Sequence, residues 1–481
     1  MLLLTKEHII EDVSKIVGSK NVITHTKKLE GFSKDQSFTR PVMPICVVQP
    51  TCNEDVQEVV RLANRHHIPL TPRSSGTNNQ GGAVPALNGL VVDLSKMNKI
   101  LEIDDRAWMA SIEAGVTFKQ LQGEVKKHGL RVLTPVELPS EASVLSTYLD
   151  FAPLYAWTCY GEENLTTMSV VLPNGETLKT GTASMPTAEK PYCHAFGAPF
   201  AGLLSYVWFQ SQGTLGIVTQ SWVKLKARRE SEKILFLPFS KVEDSFRVIY
   251  EIKRLRYEKE MVMMNKMDLA LVLADRYPQE VISLRESLPP WTLIMTLRGR
   301  EDEVEYQEED LRELMSKFEV TISSELPEVP GSDNKLLEEI EDPEGWPKWS
   351  QFKGARNTIP FIASVEDIPV YNKAAFNLAE RHGYPKEDIG CTAVPSDGNG
   401  RLHYAFSFAR DLSDPRDTGR ACSLYMSACR ELAKLGAYFS RPYGIMVELM
   451  YNRAPTYHET IKKIKHIIDP NNIMNPGKLM L

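Results

Sequence analysis

The stretch Pro72-Arg-Ser-Ser-Gly-Thr-Asn-Asn-Gln-Gly-Gly82 carries the clearest chemical signal in this chain. It lies between two apolar runs that read as strands, Ile68-Pro-Leu-Thr71 and Gly89-Leu-Val-Val-Asp-Leu94. Gly and Asn tolerate positive φ, so such a loop can turn several backbone N–H groups into one concavity. Small side chains leave room for an anion to touch that backbone, which is what holding a pyrophosphate requires. An ordinary Gly/Ser-rich turn would use the same residue types, so the loop alone leaves both readings open.

Other phosphate signatures are missing. The loop is not the strand–GxGxxG–helix of a Rossmann unit, nor the GxxxxGK[ST] of a P-loop. A second turn-rich stretch, Ser396-Asp-Gly-Asn-Gly-Arg-Leu-His403-Tyr404, supplies one imidazole, and one imidazole is not a metal site. The seven cysteines are odd in number and none has CxxC spacing, which argues against a disulfide framework or a metal cluster. No metal is expected.

Composition sets the outer bounds. The 481 residues are 42% hydrophobic and 25% charged, enough for more than one core. A net charge of −6 argues against nucleic-acid binding. No apolar run is long enough to insert in a bilayer, and the N-terminus does not read as a signal peptide, so a cytoplasmic location is expected.

The elements that must position the loop alternate in type. Ile45–Val48 reads as a strand, and Thr51-x-x-Glu54 reads as a capping box before a helix with Val56, Val59, Val60 and Ala63 on one face. Thr117-x-x-Gln120 reads as a second capping box, for a helix ending near Gly129. Charges at Ala227-Arg-Arg-Glu-Ser231 mark a boundary. Beyond it, strands at Ile234–Phe239, Thr292–Leu297 and Leu402–Phe408 alternate with helical patterns, predicting a sheet covered by helices on one face. The acidic run Glu301–Asp310 reads as a solvated helix face. The fold class is α+β.

The loop resembles the diphosphate loop of the FAD-linked oxidases of the vanillyl-alcohol oxidase/p-cresol methylhydroxylase superfamily. Further segments resemble that family in the same order: Leu90–Ile103, Ile112–Thr117, Tyr160-Gly161, Val170–Gly181, Ser211–Thr219 and Asp469–Lys478. The resemblance implies a PCMH-type FAD-binding domain of two subdomains over residues 1–230. It implies a substrate or cap domain over 231–436, and a segment, 437–481, that returns to the FAD domain. It also implies FAD, held non-covalently or through a covalent bond. The implied cofactor contacts are Arg73, Ser74, Ser75, Gly76, Thr77, Asn78, Gln80 and Gly81 from the loop. Pro139, Ser140, Ser143, Val144, Tyr160, Gly161, Gly216, Ile217, Val218 and Lys478 complete the set.

The same resemblance implies the reacting residues. Asp150 stands near a carboxylate that serves as acid/base beside flavin N5 in the phenol-oxidising branch. Arg441 aligns with an arginine that holds a phenolate oxygen there; a guanidinium pairs equally with phenolate, carboxylate or phosphate. Gln80 and Ser440 stand where that branch has its two phenolate tyrosines, with Tyr443 or Tyr438 as substitutes. His403 corresponds to a histidine of the metal-binding pattern in the 2-hydroxy-acid branch, whose first histidine is missing here. It also lies near a covalent-attachment site of other relatives, and a partly buried structural histidine is the plain alternative. The stretch Leu145–Pro153 replaces a glycine-rich segment of the broader family.

These residues predict an FAD-dependent dehydrogenase or oxidase that takes a hydride from a substrate C–H. A para-substituted phenol or aromatic alcohol is the first choice of substrate, and a 2-hydroxy acid (glycolate- or D-lactate-like) the second. A reading of another class is an FAD-carrying electron-transfer subunit without its own substrate site. A homo-oligomer, or a partner subunit that accepts the electrons, is expected.

Overall fold

The computed structural model describes residues 5–136, 138–156, 164–185, 201–257, 260–343, 350–396 and 400–481. Tyr160, Gly161 and the turn at 397–399 lie outside these residues.

The chain opens with β1 (Val22–Ile23), β2 (Cys46–Val48), β3 (Leu70–Arg73) and β4 (Leu90–Asp93), in the order β1-β2-β4-β3. The pairs β2–β4 and β3–β4 are parallel. The helix Asn53–His66 crosses between parallel strands, and its Val56, Val59, Val60, Leu62 and Ala63 are buried against Val48, Leu70, Leu90 and Val92. The phosphate-loop candidate leaves the end of β3, and β3 and β4 lie side by side at Arg73 and Asp93. Gly89 allows that approach, since a Cβ there would stand 2.1 Å from Pro69 O.

A second sheet follows from β5 (Ile100–Asp104), β6 (Met109–Glu113), β8 (Leu165–Val171), β9 (Thr177–Lys179) and β10 (Ile217–Lys224), in the order β5-β6-β10-β8-β9. The short β7 (Leu130–Arg131) and β11 (Lys226–Ala227) pair separately. The third sheet holds β12 (Ser231–Phe239), β13 (Met261–Asn265), β14 (Trp291–Gly299), β15 (Gly354–Ser364), β16 (Ile389–Pro395) and β17 (Arg401–Asp411). Its order is β12-β14-β13-β16-β17-β15, and every pairing is antiparallel.

Alternation along these strands sends residues to two cores. Leu235, Met263, Leu293, Phe361 and Phe406 join one, with the helices Ser245–Leu255, Glu301–Ser316, Ile368–Arg381 and Pro415–Lys434. Phe236, Met264, Ile294 and Val394 join the other, against the helices Lys266–Leu273, Gln279–Ser287 and Ser332–Glu341. Helices therefore cover both faces, not the one face expected. The helix Lys266–Leu273 is apolar nearly all round and is buried from Met267 to Leu273, so it has no amphipathic period to betray it in the sequence.

The capping expectations need correction at the first helix. Thr51 is not its cap; the N-cap is Cys52, and Thr51 instead donates its N–H to Asp55 at 2.9 Å. At the second helix Thr117 does cap, accepting from Gln120 N at 3.2 Å. The Gln120 side chain turns away to Asn98 O, so the reciprocal half of the box is absent. The acidic run expected as a solvated face belongs to the helix Glu301–Ser316.

The last segment docks on the first sheet. Leu70 donates its N–H to Ile473 O at 2.7 Å, and its carbonyl accepts from Asn475 N at 2.8 Å. The buried Lys465 Nζ donates to Thr214 O, Asp469 Oδ2 and Met474 O at 2.5–2.8 Å. Among the described residues no helix is long and apolar enough to cross a membrane.

Candidate active site

The 72–82 loop forms one wall of a cleft of about 1040 Å³, counting its open mouth. Arg73, Ser74, Ser75, Gly76, Thr77 and Asn78 line it there. Gly76 has φ +69° and Gly81 +91°, the left-handed region that glycine enters without steric cost. A Cβ on Gly76 would fall 2.3 Å from the Arg73 guanidinium, and one on Gly81 would fall 2.1 Å from Thr39 Oγ1. Arg73 thus packs beneath the loop, with its guanidinium over the Phe32 ring.

The loop is held from both ends of the chain. Asp35 accepts from Gly81 N at 2.7 Å, and Lys478 Nζ donates to Gly81 O at 2.7 Å. Burial pulls the Lys478 ammonium down to about 8, while the Asp35 charge opposes that shift. Ser75 Oγ accepts from Ser143 N at 3.0 Å, tying the loop to the N-cap of the helix Val144–Leu149. Leu145, Ser146, Thr147 and Leu149 of that helix line the cleft.

Asp150 caps the C-terminus of the same helix and lines the cleft with Arg441 and Tyr443. Arg441 Nε donates to Asp150 Oδ2 at 2.8 Å, and Arg441 Nη2 bonds to the same oxygen. Tyr443 donates its hydroxyl proton to Asp150 Oδ1 at 2.7 Å. The ion pair is part-buried, with side-chain exposures of 10% and 14%. Burial and the Asp150 charge push the Tyr443 hydroxyl well above its ordinary value, so it stays protonated.

Two glutamines that sequence reasoning passed over hold this cluster in place. Gln212 Nε2 donates to Pro442 O at 2.7 Å, and Gln210 Nε2 bonds to Ser440 O. Both have positive φ, near +53°. Only Gln212 falls within the Ser211–Thr219 motif; Gln210 stands one residue before it, and a glutamine has no period of its own to read.

The sequence candidates divide into two groups. Gly216, Ile217 and Val218 line the cleft with the loop residues, Asp150, Arg441 and Tyr443. Gln80, Gly81, Pro139, Ser140, Ser143, Val144, His403 and Lys478 are not among the residues that line it. Gln80 Nε2 donates to Thr358 Oγ1 at 3.2 Å. Ser140 N donates to Pro343 O at 2.6 Å, which commits it to a domain contact. Tyr438 is 57% exposed, which leaves Tyr443 as the tyrosine of the cluster. His403 is 8% exposed on β17, and its Nε2 has no protein partner. Burial first, and the Arg441 charge second, push its imidazole down to about 4. Among the described residues no group of three His, Cys, Asp or Glu side chains is placed to hold a metal ion.

A small-residue loop and a charged cluster thus open on one cleft. Trp208 also lines it and carries a buried Nε1–H without a protein partner, a donor available to a ligand acceptor.

Comparison with known proteins defines the class. Residues 44–181 match the FAD binding domain, and residues 228–479 match the C-terminal domain of FAD linked oxidases, more than half of the chain. The chain belongs to the FAD-linked oxidases and is an FAD-dependent oxidoreductase. Among its relatives, D-lactate dehydrogenase of Anaerostipes hadrus is 27% identical over 97% of this chain and 96% of its own. The 4-cresol dehydrogenase [hydroxylating] flavoprotein subunit of Pseudomonas putida is 24% identical over 98% of this chain and 94% of its own. The fold is shared with p-cresol methylhydroxylase with substrate bound, at TM-score 0.85 and 19% identity over 98% of this chain and 96% of that one. It is shared equally with 4-ethylphenol oxidase of Gulosibacter chungangensis, at TM-score 0.83 and 21% identity over the same shares.

Proposed function

We propose that this enzyme oxidises a para-substituted phenol or an aromatic alcohol. One observation carries the reading: the Asp150–Arg441 pair is already closed, and its neighbours are neutral. The cluster therefore has no net charge to offer an incoming anion.

A phenol enters such a site without adding charge. Its hydroxyl proton passes to Asp150, and the phenolate left behind pairs with Arg441. Charge is redistributed within the cluster, not increased. A carboxylate substrate brings a second negative charge beside Asp150 in a buried place, and like charges there disfavour each other.

The backbone of residues 74–78 and Arg73 would hold the pyrophosphate of FAD, and the lining at 216–218 would pack along the cofactor. Bound FAD supplies a hydride acceptor at N5. Tyr443 keeps Asp150 oriented by donating to the oxygen that Arg441 does not use. Gln210 and Gln212 hold the 440–442 backbone, so Arg441 and Tyr443 present to the cleft as one unit.

A 2-hydroxy acid is the second reading, favoured by the likeness to D-lactate dehydrogenase over nearly the whole chain. Anaerobic mixing with 4-alkylphenols, benzylic alcohols, D-lactate and glycolate tests both. Bleaching of the flavin by the phenols or alcohols alone supports the proposal. Bleaching by the hydroxy acids alone replaces it with the second reading, and no bleaching by any member favours an electron-carrying subunit.

A further inference from the structure

Side chains from opposite ends of the sequence meet on one residue of the 72–82 loop. Gly81 N–H donates to Asp35 Oδ2 at 2.7 Å, and Gly81 O accepts from Lys478 Nζ at 2.7 Å. Lys478 is 9% exposed and is not among the residues that line the cleft. We propose that Lys478 is a positioning residue for the cofactor: it holds the Gly81 carbonyl from behind the loop and sets a positive charge near the pyrophosphate without touching it.

The returning chain brings the ammonium to this place. Asp469 caps the C-terminus of the helix Pro455–Ile468, and Ile473 and Asn475 then bond to Leu70 on β3, the strand that leads into the loop. Gly477 turns the chain at φ +86°, where a Cβ would stand 3.0 Å from Ala86. The next residue, Lys478, reaches the far end of the loop at Gly81.

The charges around the ammonium decide how it responds to an anion. Asp35 acts on both Lys478 and Arg73, and Asp93 acts on Arg73 as well. With all four ionised, the two cations and two anions cancel, so a pyrophosphate adds negative charge to a neutral group. Added negative charge favours the ammonium over the neutral amine. Burial pulls the Lys478 ammonium down to about 8 against the Asp35 charge, so at pH 9 most of that proton is absent before the cofactor binds. A cofactor that favours the ammonium then binds with uptake of a proton. By linkage its affinity falls as pH rises above that value, by up to about tenfold per unit.

The inference rests on the reading that residues 74–78 hold the pyrophosphate, which Gly76→Val tests separately through flavin content. The experiment titrates full-length, flavin-free protein with FAD at pH 7 and pH 9, by calorimetry in two buffers of different ionisation heat, which counts protons. Wild type should bind more weakly at pH 9 and take up a proton fraction there that Lys478→Gln does not. Lys478→Gln keeps a donor for Gly81 O and removes the charge, so it mimics the neutral lysine. It should bind FAD roughly tenfold more weakly than wild type at pH 7. A lysine with only a packing or hydrogen-bonding role predicts no such difference. No proton uptake by wild type at pH 9, the same uptake in Lys478→Gln, or wild-type affinity in Lys478→Gln at pH 7 each overturns the proposal. Should Lys478→Gln not fold, Lys478→Arg replaces it, since a guanidinium stays charged at both pH values. Uptake that persists in Lys478→Arg overturns the proposal, and uptake abolished there supports it.

Discussion

Arg441 and Asp150 stand 291 residues apart in the chain, yet two nitrogens of one guanidinium converge on a single oxygen of one carboxylate. The other oxygen is left to Tyr443. This division lets one carboxylate join the end of the helix Val144–Leu149 to the returning C-terminal segment, on the floor of the cleft.

Arg441→Ala leaves that part-buried carboxylate with the Tyr443 hydroxyl but no countercharge, a loss of roughly 1–3 kcal/mol of stability. The denaturation midpoint should fall accordingly, and substrate-driven flavin reduction should be lost. Arg441→Lys keeps the charge without the planar fork, so it should recover part of the stability but little of the rate. Denaturant titration and stopped-flow reduction check the two effects separately.

Gly76→Val and Gly81→Val place a Cβ within 2.1–2.3 Å of Arg73 and Thr39, at positive φ that a β-branched residue resists. Both variants should be isolated without yellow colour, and flavin absorbance of the purified protein is the measurement. Normal flavin content in both would remove the loop from cofactor binding.

His403 links stability to pH with a defined sign. Its folded-state value of about 4 lies below the unfolded value of 6.5, so the unfolded chain binds more protons between the two. Stability from this site is full above pH 6.5 and declines as pH falls toward 4, by roughly 3 kcal/mol in total at about 1.4 kcal/mol per unit. His403→Leu should flatten that decline. Denaturant midpoints at pH 7 and pH 4.5, compared between the two proteins, check it.

Exhaustive chelator treatment should leave flavin reduction unchanged, because His403 stands without the first histidine of the metal-binding pattern. Activity lost to the chelator and restored by a divalent ion would move the enzyme to the hydroxy-acid reading.

Local chemistry made the 72–82 loop legible as a turn between two strands. Gly76 and Gly81 advertise their backbone angles by residue type, and the apolar runs on either side become β3 and β4. Asp150 and Arg441 carry no such mark, since an aspartate after a short helix and an arginine before a proline are common. They came with the family resemblance, and only the fold shows that they meet. The Asn78–Tyr443 bond spans 365 residues and depends on one amide rotamer, which no spacing rule encodes. The second helical layer was missed for a different reason: Lys266–Leu273 is buried on nearly every side, so its pattern has no period.

The central claim is that Asp150 takes the proton of a phenolic or aromatic-alcohol substrate beside bound FAD. Anaerobic stopped-flow reduction of the flavin by a 4-alkylphenol, in wild type and in Asp150→Asn, tests it most directly. A positioned general base contributes about 10²–10⁴-fold. The variant should therefore keep its flavin and be reduced at least about 10²-fold more slowly. Wild-type reduction rates in a flavin-replete Asp150→Asn, or no reduction of the wild type by any phenol or aromatic alcohol, would contradict the claim.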